Sequence, residues 1–129
     1  MRIDPRSHIP IYLQIVDGVR TAVAAGVFLP GEAIPTLKAM SLKAHVNPNT
    51  VQKAYDELAR EGVIYSQRGK GLFVAENGKA AAQTSAREAV QRAFLEGVRS
   101  GRSAGMSLKE IRSVFTAALE ESSKKGAEA

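Results

Sequence analysis

Val46-Asn47-Pro48-Asn49-Thr50-Val51-Gln52-Lys53-Ala54-Tyr55-Asp56-Glu57-Leu58 is the stretch on which the fold turns. Asn47 is a strong N-cap residue, and Pro48 suits the first helical position, where its missing N–H is no loss. Thr50 falls at the third position, where its N–H can meet the Asn47 side chain. Val46 and Val51 have the spacing of a hydrophobic staple across the helix start. Val51, Ala54, Tyr55 and Leu58 then form one buried stripe, and Gly62 ends the helix. Asn49, Thr50, Gln52 and Lys53 are left facing outward at its leading end.

Upstream, Thr36 is placed to cap a shorter helix that turns Leu37, Met40 and Ala44 inward and leaves Lys38 and Lys43 outside. This helix cannot run past Val46-Asn47, because Pro48 disfavours helical geometry at the residue before it. Earlier still, Pro10 opens a helix with apolar residues at Ile11, Ile15, Val19, Ala22 and Val23. Gly26 stands at its expected C-cap, and Pro30-Gly31 marks a turn beyond. Downstream, Ile64-Tyr65 and Leu72-Phe73-Val74 read as short strands around the hairpin tip Ser66-Gln67-Arg68-Gly69-Lys70-Gly71. Three helices followed by a hairpin predict a mainly α chain with a small β element, a winged helix-turn-helix over residues 1–75.

Residues 76–84 are polar and alanine-rich and are expected to form a linker. Ser85 is then placed to cap a fourth helix carrying Ala86, Ala89, Val90, Ala93, Phe94, Gly97 and Val98 on one face. A turn-rich loop is expected over 100–106. Ser107-Leu108-Lys109-Glu110 fits a capping box, and Leu108, Ile111, Phe115, Ala118 and Leu119 stripe the fifth helix. Residues 124–129 should fray. One small winged domain does not readily bury both stripes, so residues 85–123 read as a two-helix dimerisation segment. Val90, Phe94, Val98, Leu108, Ile111, Phe115 and Leu119 would form that interface; helices folded back in cis are the alternative.

A net charge of +5 on 129 residues is only moderately basic, but its distribution is uneven. No carboxylate lies between Glu32 and Asp56, where Lys38, Lys43 and Lys53 stand, nor between Glu61 and Glu76, where Arg68 and Lys70 stand. Folded side by side, these stretches would form a one-signed surface suited to phosphate. Asn and Gln amides pair bidentately with adenine, Thr meets phosphate or a thymine methyl, and Lys meets phosphate or guanine. Taken alone, Asn49–Lys53 could equally be a solvated face; the Pro48 start and the glycine hairpin favour DNA. Asp56, Glu57 and Glu61, coming later, are expected to point away from the groove. At the tip, Gly69 and Gly71 permit close backbone approach while Arg68 and Lys70 reach phosphates or the minor groove.

The chain contains no cysteine, and neither His8 nor His45 has carboxylates at metal or catalytic spacing. No cofactor, metal or enzymatic chemistry is expected. No apolar run approaches the roughly 20 residues of a membrane span. A cytoplasmic protein is the expectation, with a protein-binding winged helix lacking DNA specificity as the alternative function.

The residues also resemble a known family. Ile9-Pro10-Ile11-Tyr12-Leu13-Gln14-Ile15, Leu29-Pro30-Gly31-Glu32, the Val46–Tyr55 run and Arg68-Gly69-Lys70-Gly71 are similar to the GntR family of bacterial transcription regulators. Asn47-Pro48-Asn49-Thr50-Val51 and the short tail look like its YtrA subfamily. The resemblance implies a homodimer on palindromic double-stranded operator DNA, acting as a repressor. It implies DNA contacts from Thr50, Gln52, Lys53 and Gly69. Where the family has Leu-Pro-Ser-x-Arg, this chain has Ile34-Pro35-Thr36-Leu37-Lys38; Lys38 keeps the charge without arginine's bidentate fork. The tail leaves little room for an effector domain, so any small-molecule effector would be expected at the dimer interface.

Overall fold

The computed structural model describes the backbone of residues 2–128 and the side chains of residues 2–125. Its elements run α1 (Ile11–Ala24), α2 (Leu37–Ala44), α3 (Pro48–Arg60), β1 (Ile64–Gln67), β2 (Gly71–Val74), α4 (Gly78–Ser103) and α5 (Leu108–Glu128). They form two compact units, residues 1–88 and 89–129.

In the first unit the expected caps form. Thr36 Oγ1 accepts from the Ala39 N–H at 3.1 Å and starts α2. Asn47 caps α3, with the difference that its Oδ1 takes the Asn49 N–H at 2.8 Å, while the Thr50 N–H bonds the Asn47 carbonyl. Pro10 caps α1 and does not occupy its first turn. Gly62, at φ +81°, lets the chain reverse after α3: its N–H bonds Ala59 O and the Val63 N–H bonds Leu58 O. Both bonds belong to a Schellman closure, which only a residue tolerant of positive φ completes cheaply.

The core of this unit is Ile15, Val16, Val19 and Val23 of α1 against Val51, Ala54, Tyr55 and Leu58 of α3, closed by Met40, Val63, Ile64 and Val74. Tyr55 is sealed in, and its hydroxyl donates to Pro35 O at 2.8 Å; burial pushes its pKa up to about 12. A buried ion pair ties α1 to the end of α3. Arg20 Nη2 reaches both Glu61 oxygens at 2.9 Å, and its Nη1 reaches Asp17 at 2.9 Å.

β1 and β2 pair antiparallel, from Ile64 with Val74 to Gln67 with Gly71, so each strand runs further toward the tip than its apolar residues suggested. The segment after the Pro30-Gly31 turn adds a third rung. Ala33 bridges Phe73, the Ile34 N–H bonds Leu72 O, and the Val74 N–H bonds Glu32 O. Residues 32–34 lack strand periodicity, which is why the sequence showed only a turn there.

The expected linker over 76–84 is instead helical from Gly78 onward. Ala80, Ala81, Ala82 and Gln83 are strong helix formers, and Gly78, Ala82 and Ser85 are buried. Gly78 is where the helix meets the core: a Cβ there would lie 2.7 Å from Val63 O and 2.8 Å from Val74 Cγ1. Ser85, expected as a cap, therefore sits inside α4. The expected loop over 100–106 also shortens, since α4 continues to Ser103 and closes through Gly105. Nothing in Ser100–Ser103 forbids helix. Of residues 124–129, expected to fray, the backbone is helical as far as Glu128, and Ala129 lies outside the described residues.

The second unit contains the remainder of α4, the turn and α5. The capping box forms: the Glu110 N–H meets Ser107 Oγ at 3.1 Å and Glu110 Oε1 accepts from the Ser107 N–H at 3.2 Å. Gly101 lets the two helices meet, because a Cβ there would lie 2.9 Å from Ile111 Cγ1. Phe94 and Phe115 pack edge to face with ring centroids 5.4 Å apart.

Candidate nucleic-acid interface

The helix-turn-helix is formed by α2, the turn at His45–Asn47 and α3. His45 takes the left-handed conformation (φ 54°) that ends α2, and Ser41 Oγ donates to Val46 O at 2.5 Å, fixing the turn. The leading end of α3 is thereby held clear of the core, with Asn49, Gln52 and Lys53 exposed and Thr50 half-buried. Lys38 is exposed on α2.

The wing tip is a three-residue turn, Arg68-Gly69-Lys70, closed by the Lys70 N–H on Gln67 O at 2.9 Å. Gly69 adopts φ +77°, as the third residue of a type II turn requires, and a Cβ there would meet nothing within 4 Å. The tip backbone is therefore open to close approach. Between the wing and α3 lies a cleft of about 620 Å³. Gln52, Tyr55 and Asp56 of α3 line one side, Ser66 to Leu72 the other, and Thr36 one end.

Of the eight residues singled out for DNA contact, the fold brings Gln52, Arg68, Gly69 and Lys70 around this cleft. Lys38, Asn49, Thr50 and Lys53 lie outside its lining. The Lys53 ammonium sits 4.0 Å over the Tyr12 ring, a cation–π contact with the first helix. Thr36, Ser66 and Gln67 were not singled out, although Ser66 and Gln67 stand beside the glycines in an acid-free run, a signal that was available. Tyr12 gave no such signal, since at its position in α1 it reads as packing.

Asp56 corrects an expectation. It does not point away from the cleft but lines it, accepting from Gln52 Nε2 at 2.7 Å. Residues four apart share a helix face, so Asp56 follows Gln52 to the cleft. The other two acids do turn elsewhere. Glu57 bonds Arg60, whose guanidinium holds the Glu57 carboxyl below its ordinary pKa, and Glu61 is taken by Arg20.

No cluster of three or more His, Cys, Asp or Glu with metal-binding geometry occurs among the described residues. No helix among them is long and apolar enough to cross a membrane.

A recognition helix projecting beside a glycine-tipped β-hairpin defines the winged helix-turn-helix class of transcription regulators. Residues 11–74 match the family described as bacterial regulatory proteins, gntR family. The HTH-type transcriptional repressor YtrA of Bacillus subtilis is 43% identical over 79 residues, which span 61% of this chain and 61% of that repressor. The uncharacterized HTH-type transcriptional regulator YhcF of the same organism is 36% identical over 103 residues, 79% of this chain and 84% of its own. The chain belongs to the GntR family. In three dimensions it is similar to a GntR family transcriptional regulator from Listeria monocytogenes, with TM-score 0.67, 25% identity, and coverage of 89% of this chain and 98% of the other. The AraR DNA-binding domain in complex with operator ORX1 matches with TM-score 0.53 and 29% identity, over 58% of this chain and 99% of that one.

Proposed function

We propose that this chain is a cytoplasmic repressor that binds a palindromic operator as a homodimer and performs no catalysis. The observation that carries the reading is the cleft between α3 and the wing, framed by an acid-free hairpin tip and Gln52 of the recognition helix, with Asn49 and Lys53 exposed beside it on the same helix end. In this reading α3 enters the major groove, with Asn49, Gln52 and Lys53 toward base edges and Thr50 and Lys38 toward phosphate. Arg68, Gly69 and Lys70 approach the neighbouring backbone or minor groove. The duplex strand between the two grooves runs along the cleft. Lys53 leaves the Tyr12 ring when it binds.

The partner is a second copy of the chain. Val90, Phe94, Val98, Leu108, Phe115 and Leu119 are exposed, and Ile111 is half-buried. Phe94, Val98, Leu108, Ile111 and Phe115 line an apolar groove of about 690 Å³ within the second unit, while Val90 and Leu119 lie outside its lining. Leaving rings such as Phe94 (54% exposed) and Phe115 (43%) in water is unfavourable, and a twofold pairing of these faces would bury them. Such pairing would set two recognition helices one DNA turn, roughly 34 Å, apart.

The test is binding of the purified protein to the DNA upstream of its own gene and to random duplex, over a salt series. Preference for its own promoter by about 10³ or more, falling steeply with salt, is expected. Equal and weak binding to both duplexes would instead favour a protein-interaction module.

A further inference from the structure

We infer that Asp56 is a positioning residue that sets Gln52 to read adenine and reject guanine. The inference rests on the DNA-binding reading above. Asp56 Oδ1 lies 2.7 Å from the Gln52 amide nitrogen, both side chains are exposed, and both line the cleft between α3 and the wing. A carboxylate has no hydrogen to give, so the Gln52 atom facing it is the nitrogen, and the amide cannot flip without setting oxygen against oxygen. One amide hydrogen is committed to Asp56. What remains for a base edge is Oε1 and a single N–H.

That remainder is the complement of adenine, whose N6 amino group donates and whose N7 accepts. Guanine offers two acceptors in the same places, O6 and N7, and would need two donors. A glutamine free of Asp56 has both hydrogens available and can turn to serve guanine as well. The carboxylate thus removes one of the two ways the amide can pair. Its cost is a negative charge near phosphate, which lowers overall affinity for any sequence. A residue that weakens binding in general while narrowing what is bound has the properties of a specificity device.

The experiment is selection from a pool of duplexes with a randomised core, using the full chain as wild type, Gln52→Ala, Asp56→Ala and Asp56→Asn. The wild type should enrich a motif with adenine at one position per half-site, and Gln52→Ala should lose the preference there alone. Asp56→Ala should admit guanine at that position, with the adenine preference dropping from about tenfold or more to about twofold, while other positions hold. Asp56→Asn, whose amide can offer either its oxygen or its N–H to Gln52, no longer forbids the flip and should fall between the wild type and Asp56→Ala. Both Asp56 variants lose the charge, so their difference separates orientation from electrostatics. Unchanged adenine preference in Asp56→Ala, or no position that depends on Gln52, overturns the inference and leaves the DNA-binding reading standing. No enriched motif in the wild type overturns both.

Discussion

The two compact units treat their apolar residues in opposite ways. In residues 2–88 the stripes of α1 and α3 close on each other and on the hairpin, and Ile15, Val19, Val51 and Leu58 are fully removed from solvent. In the second unit the stripes of α4 and α5 are as regular in sequence, yet Phe94, Leu119 and their neighbours remain about half exposed. Both regions were written with helical periodicity. Two helices alone present too little surface to enclose a core, whereas three helices, a hairpin and the rung at Ala33 are enough. The first unit is finished within one chain; the second has a face left over. Amphipathicity thus says that a face will be buried, and only the count of available elements says whether the chain itself can bury it.

The strongest way to break this comparison is to charge the open face. Phe94→Asp combined with Phe115→Asp should convert a dimer into a monomer of 13.8 kDa by sedimentation at micromolar concentration. Operator affinity should fall by roughly 4 kcal/mol, the lower end of the gap between specific and non-specific binding. A wild-type protein that already sediments as a monomer would remove the basis of the contrast. Leu58→Ala acts on the closed side. It should cost about 3 kcal/mol in urea unfolding through the cavity it leaves, with the mass in solution unchanged.

A third test uses pH. Burial raises Tyr55 from 10.0 to about 12, so the folded chain holds this proton where the unfolded chain releases it. Stability from this group is whole below pH 10 and is lost as pH climbs from 10 to 12. The loss amounts to roughly 2–3 kcal/mol at 1.36 kcal/mol per unit. Tyr55→Phe should cost about 1 kcal/mol at neutral pH for the bond to Pro35 and should lack that alkaline decline. Equal slopes for both proteins between pH 10 and 12 would show the ring to be less enclosed than its packing indicates. The smallest effect is expected at the wing. Lys70→Ala should lower the salt dependence of binding by about one phosphate contact and weaken all sequences alike.

Most of the first unit was legible because its signals are local. Asn47 and Pro48 mark a helix start through their own chemistry, and Thr36 needs only three residues of spacing to reach the Ala39 N–H. The linker was misread for a related reason. Composition around Ala80–Gln83 is as compatible with a polar spacer as with a helix, and Gly78 looks like a breaker until the packing at Val63 and Val74 is seen. Arg20 and Glu61 are 41 residues apart, and nothing in either neighbourhood announces a buried pair.

The candidate site divides along the same line. Residue types at the leading end of α3 and the absence of acids in the wing were fixed by the order of residues alone, because charge and hydrogen-bonding capacity belong to side chains wherever they stand. Which of them share a cleft was not. Gln52, Arg68 and Lys70 meet there because α3 and the hairpin pack on one core, while Lys53 is drawn to Tyr12 of α1 and Asp56 is carried to the cleft by its helix face. Sequence by itself determined α1 to α3, the hairpin, the polar and basic groups offered to a nucleic acid, and the family; tertiary structure decided where α4 begins, which side chains stand together and which apolar face remains open, since those depend on contacts between residues far apart in the chain.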